Sequence, residues 1–527
     1  MRNFQISGRS TIHSQNGMVA TSHPIAVSVG LDILKKGGNA IDAAIAMAFV
    51  LPICEPQSTG LYGDVFALIK PSNSNNFIGL NGSGSSVKNL TSENLRLKGY
   101  NKIPEMGVEA ITLPGAIASF ESLNQKFGSM ELRELCNPAI KYAEEGVVVS
   151  PRVSFDWFHS FKNLKGKALK FYSNNGKPFN VGSLFKSVGQ AEILKKVAKD
   201  GSKGFYEGEV AEDFIKSLSN IGGLHTYEDF SNVKVQYVEP VIGNFGDINL
   251  IEMPPNGQGI TAILIKKILD QLNISQYNPF SSTRVHLEAE AAKLAYHARD
   301  QYIGDPDFNK YQFEEFFSDS MVSNYTKLIK FDSVLPDLSL NNDFKHRDTV
   351  YLTVVDKNRC MVSLIFSIFN SFGSGYASEK YGILFHNRGA GFSLQKDHPN
   401  ELKPGKRPLH TIIPAFLVKK NDYIMPFGVM GGQYQANGHA RLISNIVDFG
   451  MDLQEAIDTP RSFPEMGYLK LEVGYSEVIA RELELKGHKI IRPEQPIGGA
   501  QAILHSIADD TLVGGSDPRK DGCALGY

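Results

Sequence analysis

Thr349 stands where a charged run, His346-Arg347-Asp348, gives way to Val350-Tyr351-Leu352-Thr353-Val354-Val355, an alternation rich in β-branched and aromatic residues. Asp-Thr before a strand is common loop-to-strand sequence, and taken alone it carries no chemistry. Cleavage of the Asp348–Thr349 bond would change that, because Thr349 would then hold a hydroxyl nucleophile and a free α-amino group on one residue. An unperturbed α-amino group has a pKa of about 7.7–8.0, so near neutral pH it can take the hydroxyl's proton during attack.

A second segment, Gly428-Val429-Met430-Gly431-Gly432-Gln433, follows an apolar run and precedes a helical pattern. Glycines there let the main chain approach a ligand and aim N–H groups at a developing oxyanion. The plainer reading is a tight strand-to-helix turn. Gly82 with Gly84, and Gly257 with Gly259, lack a following Lys-Ser/Thr and the spaced fingerprint of a dinucleotide site, so a phosphate loop is rejected. His23, His346, His386, His398, His410 and His439 are scattered singly, without the helical His pair and intervening Glu of a zinc hydrolase. No metal or organic cofactor is expected.

Helical spacing predicts helices over 24–36 and 40–51, the first closed by Gly37-Gly38 and the second by Pro52. Further helices are predicted over 116–126, 132–145, 209–218, 259–272 and 283–302. After Thr349 the texture turns to strands, predicted over 350–355, 361–369, 383–386, 411–418 and 422–430, before helices return over 439–449 and 453–459. Strand runs followed by helices suggest sheets covered by helices, an α+β arrangement.

The chain has 527 residues, 42% hydrophobic and 21% charged, with a formal net charge of −2. No linker, charge block or repeat divides it, so one large unit is expected. Basic residues are dispersed, which leaves no footprint for nucleic acid. Cys54, Cys136, Cys360 and Cys523 lie far apart, as buried thiols of a reducing compartment would. The first nine residues lack the apolar core of a secretory signal, and the apolar run 43–51 is too short to span a bilayer. A cytoplasmic location and no membrane partner are expected.

Several ordered segments resemble the γ-glutamyltranspeptidase family. They are Gly17-Met18-Val19-Ala20-Thr21-Ser22-His23-Pro24, Gly37-Gly38-Asn39-Ala40-Ile41-Asp42-Ala43-Ala44, Glu55-Pro56-Gln57-Ser58-Thr59-Gly60, Leu113-Pro114-Gly115, Met253-Pro254-Pro255, Tyr302-Ile303-Gly304-Asp305-Pro306 and Gly515-Ser516-Asp517-Pro518-Arg519. The resemblance spans essentially the whole chain. It implies an N-terminal nucleophile hydrolase, an α+β fold with an αββα four-layer sandwich, made as a precursor that cuts itself into a large subunit, 1–348, and a small one, 349–527, with a dimer of such heterodimers one assembly open to it. Thr349 matches the nucleophile, Asp348 the new C-terminus of the large subunit, and Gly431 and Gly432 the oxyanion pair. Thr353 and Ser367 match hydroxyl positions that orient the nucleophile.

On the substrate side the chain departs from members that act on glutathione. Their carboxylate-binding arginine falls at about Ser92, their amine-binding acidic residue at Gly391, a pair of serines at His410-Thr411 and an asparagine at Phe369. The stretch between Phe392 and Arg407 is shorter, so their substrate-covering lid is expected to be missing. Arg388 brings a guanidinium where an acid stood nearby, which favours a carboxylate ligand, or else it forms a salt bridge between the subunits. The pattern is closer to the cytoplasmic γ-glutamyltransferase-like and cephalosporin-acylase-like branch. The expected activity is acyl transfer from a γ-glutamyl or similar dicarboxylic acyl amide to water or an amine. The alternatives are a hydrolase for glutaryl-like acidic side chains with little transfer, and an idle binding protein on the same scaffold.

Overall fold

The computed structural model describes residues 5, 8–72, 74–309, 313–336, 338 and 349–527. Asp348 and His346 therefore lie outside the described residues. The two large sheets take seven strands from before Thr349: β1 (Ile12–Ser14), β2 (Met18–Thr21), β3 (Asp64–Lys70), β4 (Ile78–Gly82), β5 (Gln236–Val238), β6 (Val241–Phe245) and β7 (Ile248–Glu252). Seven more come from after it: β8 (Val350–Val355), β9 (Met361–Ser367), β10 (Ala415–Lys419), β11 (Tyr423–Met430), β12 (Gly499–Ser506), β13 (Thr511–Ser516) and β14 (Cys523–Gly526). They form two seven-stranded sheets, ordered β1-β13-β12-β11-β10-β7-β6 and β14-β2-β8-β9-β3-β4-β5. Each sheet thus mixes strands from both sides of Thr349, and every pairing within these two sheets is antiparallel.

The period of two along each strand sorts the core into layers. From β8 and β9, Val350, Leu352, Val354, Val362, Leu364 and Phe366 join one cluster, whereas Tyr351, Val355, Met361 and Ile365 join another. The first cluster is completed by α1 (Pro24–Lys35), α2 (Ala40–Cys54), α3 (Ala116–Phe127) and α4 (Leu132–Glu145), which cover the outer face of that sheet. The second lies between the sheets and includes Ile251, Phe416, Met430 and Ile503 from the opposite one. The outer face of the opposite sheet packs on α5 (Gly259–Gln271), α6 (Ser282–Tyr302) and α7 (Tyr434–Val447) through Leu250, Leu417, Phe427, Val429 and Ala502. The layers therefore run helix, sheet, sheet, helix, as the resemblance implied. No helix of the described residues is long and apolar enough to cross a membrane.

All fifteen residues of α2 are buried, which explains its alanine-rich surface. It runs through Pro52 to Cys54, past its predicted end. Proline removes one N–H from the last turn, and Glu55 N–H still closes that turn on the Leu51 carbonyl at 2.7 Å. The predicted strand over 383–386 is instead an irregular buried loop, held by Phe385 N–H to Tyr376 O at 3.0 Å and Ser374 N–H to Phe385 O at 2.9 Å. The strand predicted from 411 begins only at Ala415, because 411 and its neighbours serve the site described next.

Candidate active site

Thr349 is fully buried at the entry to β8. The antiparallel register pairs Val350 with Phe366, which carries Thr349 across from Ser367, and Ser367 is in turn paired with Asp64 at the head of β3. Main-chain pairing alone therefore lines up a hydroxyl, a second hydroxyl and a carboxylate on three neighbouring strands. Thr349 Oγ1 donates to Ser367 Oγ at 3.2 Å, and Ser367 Oγ also accepts the N–H of Phe369 at 2.9 Å. Thr353 is not brought to this point. Four residues further along the strand it lies about 13 Å away at roughly 3.3 Å per residue, and its hydroxyl donates to Val362 O at 2.9 Å.

Next to the hydroxyl pair lies a buried charge cluster centred on Asp64. Asp64 is fully buried. Its Oδ1 accepts the Gly84 N–H at 2.8 Å, and its Oδ2 sits 3.0 Å from His386 Nδ1, 3.1 Å from His410 Nε2 and 3.5 Å from Arg388 Nε. Burial pushes the Asp64 carboxyl up, but the charge and hydrogen bond of His386 and the hydrogen bond and charge of His410 outweigh it and hold the group well below the usual carboxylate range. His410 is pushed down to about 3, first by burial and then by the Arg388 charge, so it is neutral near pH 7. Burial lowers Arg388 to about 10, against the pull of Asp64, which leaves it a cation.

The Arg388 guanidinium lies 4.4 Å over the Phe369 ring and donates through Nη1 to Thr411 Oγ1 at 3.2 Å. Its Nη2 is buried and has no hydrogen-bond partner among the described residues, and the same holds for Nδ1 of His410. Asp64 cannot satisfy Nη2, since one of its oxygens already faces three donors. A buried donor on a charged group without an acceptor is costly, on the order of 1–3 kcal/mol or more, and an anionic group placed beside it would relieve that cost. Gly391 closes the wall beside it. A Cβ there would meet Leu409 O at 2.9 Å, so an acidic side chain has no room without movement. Ser92, where the resemblance put a carboxylate-binding arginine, instead donates to Glu401 Oε1 at 2.6 Å, and Glu401 also pairs with Arg96 at 2.9 Å.

Gly431 and Gly432 link β11 to α7 with φ of +124° and +58°, conformations that favour glycine. Their carbonyls enter the helix start, accepting Tyr434 N–H at 3.1 Å and Gln435 N–H at 3.3 Å. Among the described residues no turn or loop bond engages the N–H of either glycine. Gln258 Nε2 donates to Thr411 O at 2.7 Å and reaches Gly432 O at 3.5 Å, which ties this turn to the Arg388 cluster. The site thus brings together Thr349, Ser367, Phe369, Arg388, His410, Thr411 and the glycine turn. Asp64 and His386 escaped the sequence reading. The signal for Asp64 was a carboxylate at the head of the otherwise apolar run 65–69, where a buried charge demands partners.

His286, Glu290 and His488 could between them hold a metal ion, their ligand atoms lying within 4.8 Å of one another. Those atoms are already matched inside the protein. His286 Nδ1 lies 2.8 Å from His488 Nε2, His286 Nε2 lies 2.7 Å from Lys330 O, and Glu290 takes Lys293 Nζ at 2.7 Å and Leu335 N–H at 2.5 Å. A lysine on the carboxylate disfavours a second cation, and the cluster fits a tie between α6 and the chain around 330–335.

Residues 26–527 match the family description "Gamma-glutamyltranspeptidase". The chain belongs to this family. It is 32% identical over 523 residues to the Glutathione hydrolase-like YwrD proenzyme of Bacillus subtilis (strain 168), covering 97% of this chain and 98% of that one. It is 29% identical over 537 residues to the Oxamate amidohydrolase proenzyme of Klebsiella pneumoniae subsp. pneumoniae, covering 98% of this chain and 100% of that one. Among solved structures it resembles a cephalosporin acylase from Bacillus halodurans, with a TM-score of 0.89 and 35% identity over 100% of this chain and 98% of the other. Family membership makes the protein an enzyme of the γ-glutamyltranspeptidase and acylase type of amidohydrolase, on an N-terminal nucleophile hydrolase fold.

Proposed function

We propose that the chain cuts itself before Thr349 and that the freed threonine transfers an acyl group from amides of γ-glutamic or similar dicarboxylic acids. The observation that carries this reading is Arg388 Nη2, buried and without a hydrogen-bond partner among the described residues, on a guanidinium stacked over Phe369, whose N–H is bound by the Ser367 that takes the Thr349 hydroxyl. Thr349 Oγ attacks the amide carbonyl carbon while its own α-amine takes the hydroxyl proton. The carbonyl oxygen becomes an oxyanion held by the N–H groups of Gly431 and Gly432. Collapse breaks the C–N bond, the amine leaves with that proton, and the acyl group remains as an ester on Thr349. Water or an acceptor amine then attacks the ester by the same route and restores the hydroxyl. Arg388 holds the distal carboxylate of the donor throughout.

Between the acid classes, the wall around Arg388 favours donors without an α-ammonium group. The Asp64 oxygens are spent on Gly84, His386, His410 and Arg388, and Gly391 has no side chain, so neither offers a carboxylate to an ammonium. This supports a glutaryl-like acylase with little transfer as the second reading. Release of aniline from γ-glutamyl, glutaryl and uncharged butyryl anilides, together with the intact mass of the purified protein, tests both. Two fragments starting at Met1 and Thr349, with acidic donors turned over far faster than butyryl, are expected. An uncut chain without turnover would support the idle binding protein instead.

A further inference from the structure

We propose that Arg299 is a positioning residue for the Gly431–Gly432 turn and acts on it through Gln258 and Gln433; this rests on the turn's oxyanion role proposed above. Arg299 lies near the end of α6 and is 3% exposed. Its Nη1 donates to Gln258 Oε1 at 2.7 Å and to Gln433 Oε1 at 2.5 Å. Its Nε donates to Asp300 Oδ1 at 2.8 Å, and its guanidinium lies 4.7 Å over the Tyr296 ring. The Tyr296 hydroxyl donates in turn to the Gln433 carbonyl and accepts the Asn437 N–H at 3.2 Å.

The chemistry of arginine gives this arrangement its direction. A guanidinium only donates, so it turns Oε1 of both glutamines toward itself. The Nε2 of Gln258 is thereby left facing carbonyls, and the carbonyls it meets are those of Thr411 at 2.7 Å and Gly432 at 3.5 Å. The turn needs such support from outside. Both glycines lie at positive φ, and a Cβ at Gly431 would stand 2.8 Å from Gly498 Cα, so no side chain can brace the turn from within. Arg299 thus grips Gln433, the residue that follows the turn, and through Gln258 reaches Gly432 and the Thr411 that contacts Arg388. A lysine would keep the charge but not the plane: Nε and Nη2 grip Asp300 Oδ1 at 2.8 and 2.6 Å and so hold Nη1 against both glutamines, an anchor that a single ammonium lacks.

Misplacement of a reacting geometry by about 1 Å can cost on the order of a hundredfold in rate. Arg299→Lys is therefore expected to lower kcat about ten- to a hundredfold while KM moves less than about twofold. The discriminating probe is a boronic acid that carries the donor's distal carboxylate. Its boron accepts the Thr349 Oγ lone pair as the proton passes to the α-amine, giving a tetrahedral adduct with an oxygen in the turn. Across wild type, Arg299→Lys and Gln433→Met, affinity for the boronate should fall by the same factor as kcat, while affinity for the free donor acid stays constant. Gln433 is only 7% exposed but sits at the turn's edge, so its variant carries the test if Arg299→Lys does not fold. An unchanged boronate affinity beside a fallen kcat, or an equal loss of acid binding, overturns the proposal. A wild type that forms no boronate adduct points instead at the Thr349 reading and removes the basis of both.

Discussion

The proposed nucleophile side and the proposed acyl-binding side of the site are built by different means. Thr349, Ser367 and Asp64 are aligned by strand register, where each residue's place follows from its neighbour's. Arg388, His410 and His386 converge from loops and meet through side chains alone, on a carboxylate more than three hundred residues away in the chain. Register tolerates changes in what is bound, whereas a loop-built charge cluster can be rebuilt without disturbing the sheet. Chemistry and specificity are thus separable here, one fixed in the ladder and the other in its margins.

Thr349→Ala strikes the register-built half most directly. It should leave a folded single chain whose activity falls by more than about ten-thousandfold; two normal fragments on a denaturing gel would show that the nucleophile lies elsewhere. Asp64 sits at the junction of the halves. Asp64→Asn deprives the buried Arg388 of its counter-charge and should cost about 3–5 kcal/mol of stability, read from the denaturant midpoint, and a midpoint close to wild type would mean that the cluster is not held by charge. Arg388→Met should spare the halves unequally. kcat/KM for an acidic donor should fall about a hundredfold, in the range seen when a buried charged partner is lost, while that for butyryl anilide holds or rises, and equal losses on both donors would dissolve the division of labour. The mildest probe is pH. His410 titrates near 3 in the fold and near 6.5 when unfolded, so the unfolded chain binds the extra proton between these values. Its contribution to stability is complete above 6.5 and lost as pH falls toward 3, amounting to about 2 kcal/mol by pH 5. His410→Asn should flatten that part of the unfolding curve, and an unaltered slope would argue against a neutral buried ring.

The same division decides what the sequence made legible. The strand beginning at Val350 announced itself through strict alternation with β-branched residues, and Gly431-Gly432 through glycines between an apolar run and a helix; both stand where expected. Ser367, which only the family resemblance points to, meets the Thr349 hydroxyl because strand register sets it opposite. Thr353 has the right residue type on the right strand, yet strand rise carries it out of reach. The margins resisted such reading. His386 ends an apolar run, 383–385, that reads like a strand but folds as a loop, and nothing local pairs it with Asp64. The late strands are masked by small residues, Gly514 and Gly515 in 511–516 and the opening Gly-Ala-Gln-Ala in 499–506. Long-range partners of buried charge leave only a one-sided trace in sequence, an ionisable residue in apolar company.

Both sheets join strands from before and after Thr349, with β14 against β2 and β13 against β1. A backbone break at Thr349 would therefore yield two polypeptides that cannot part without melting everything, and that, once melted, must find each other by diffusion. The mature enzyme would then owe its persistence to a slow unfolding rate more than to a favourable equilibrium, and its recovery after heating would fall on dilution, whereas the uncut Thr349→Ala chain would refold equally well at any concentration.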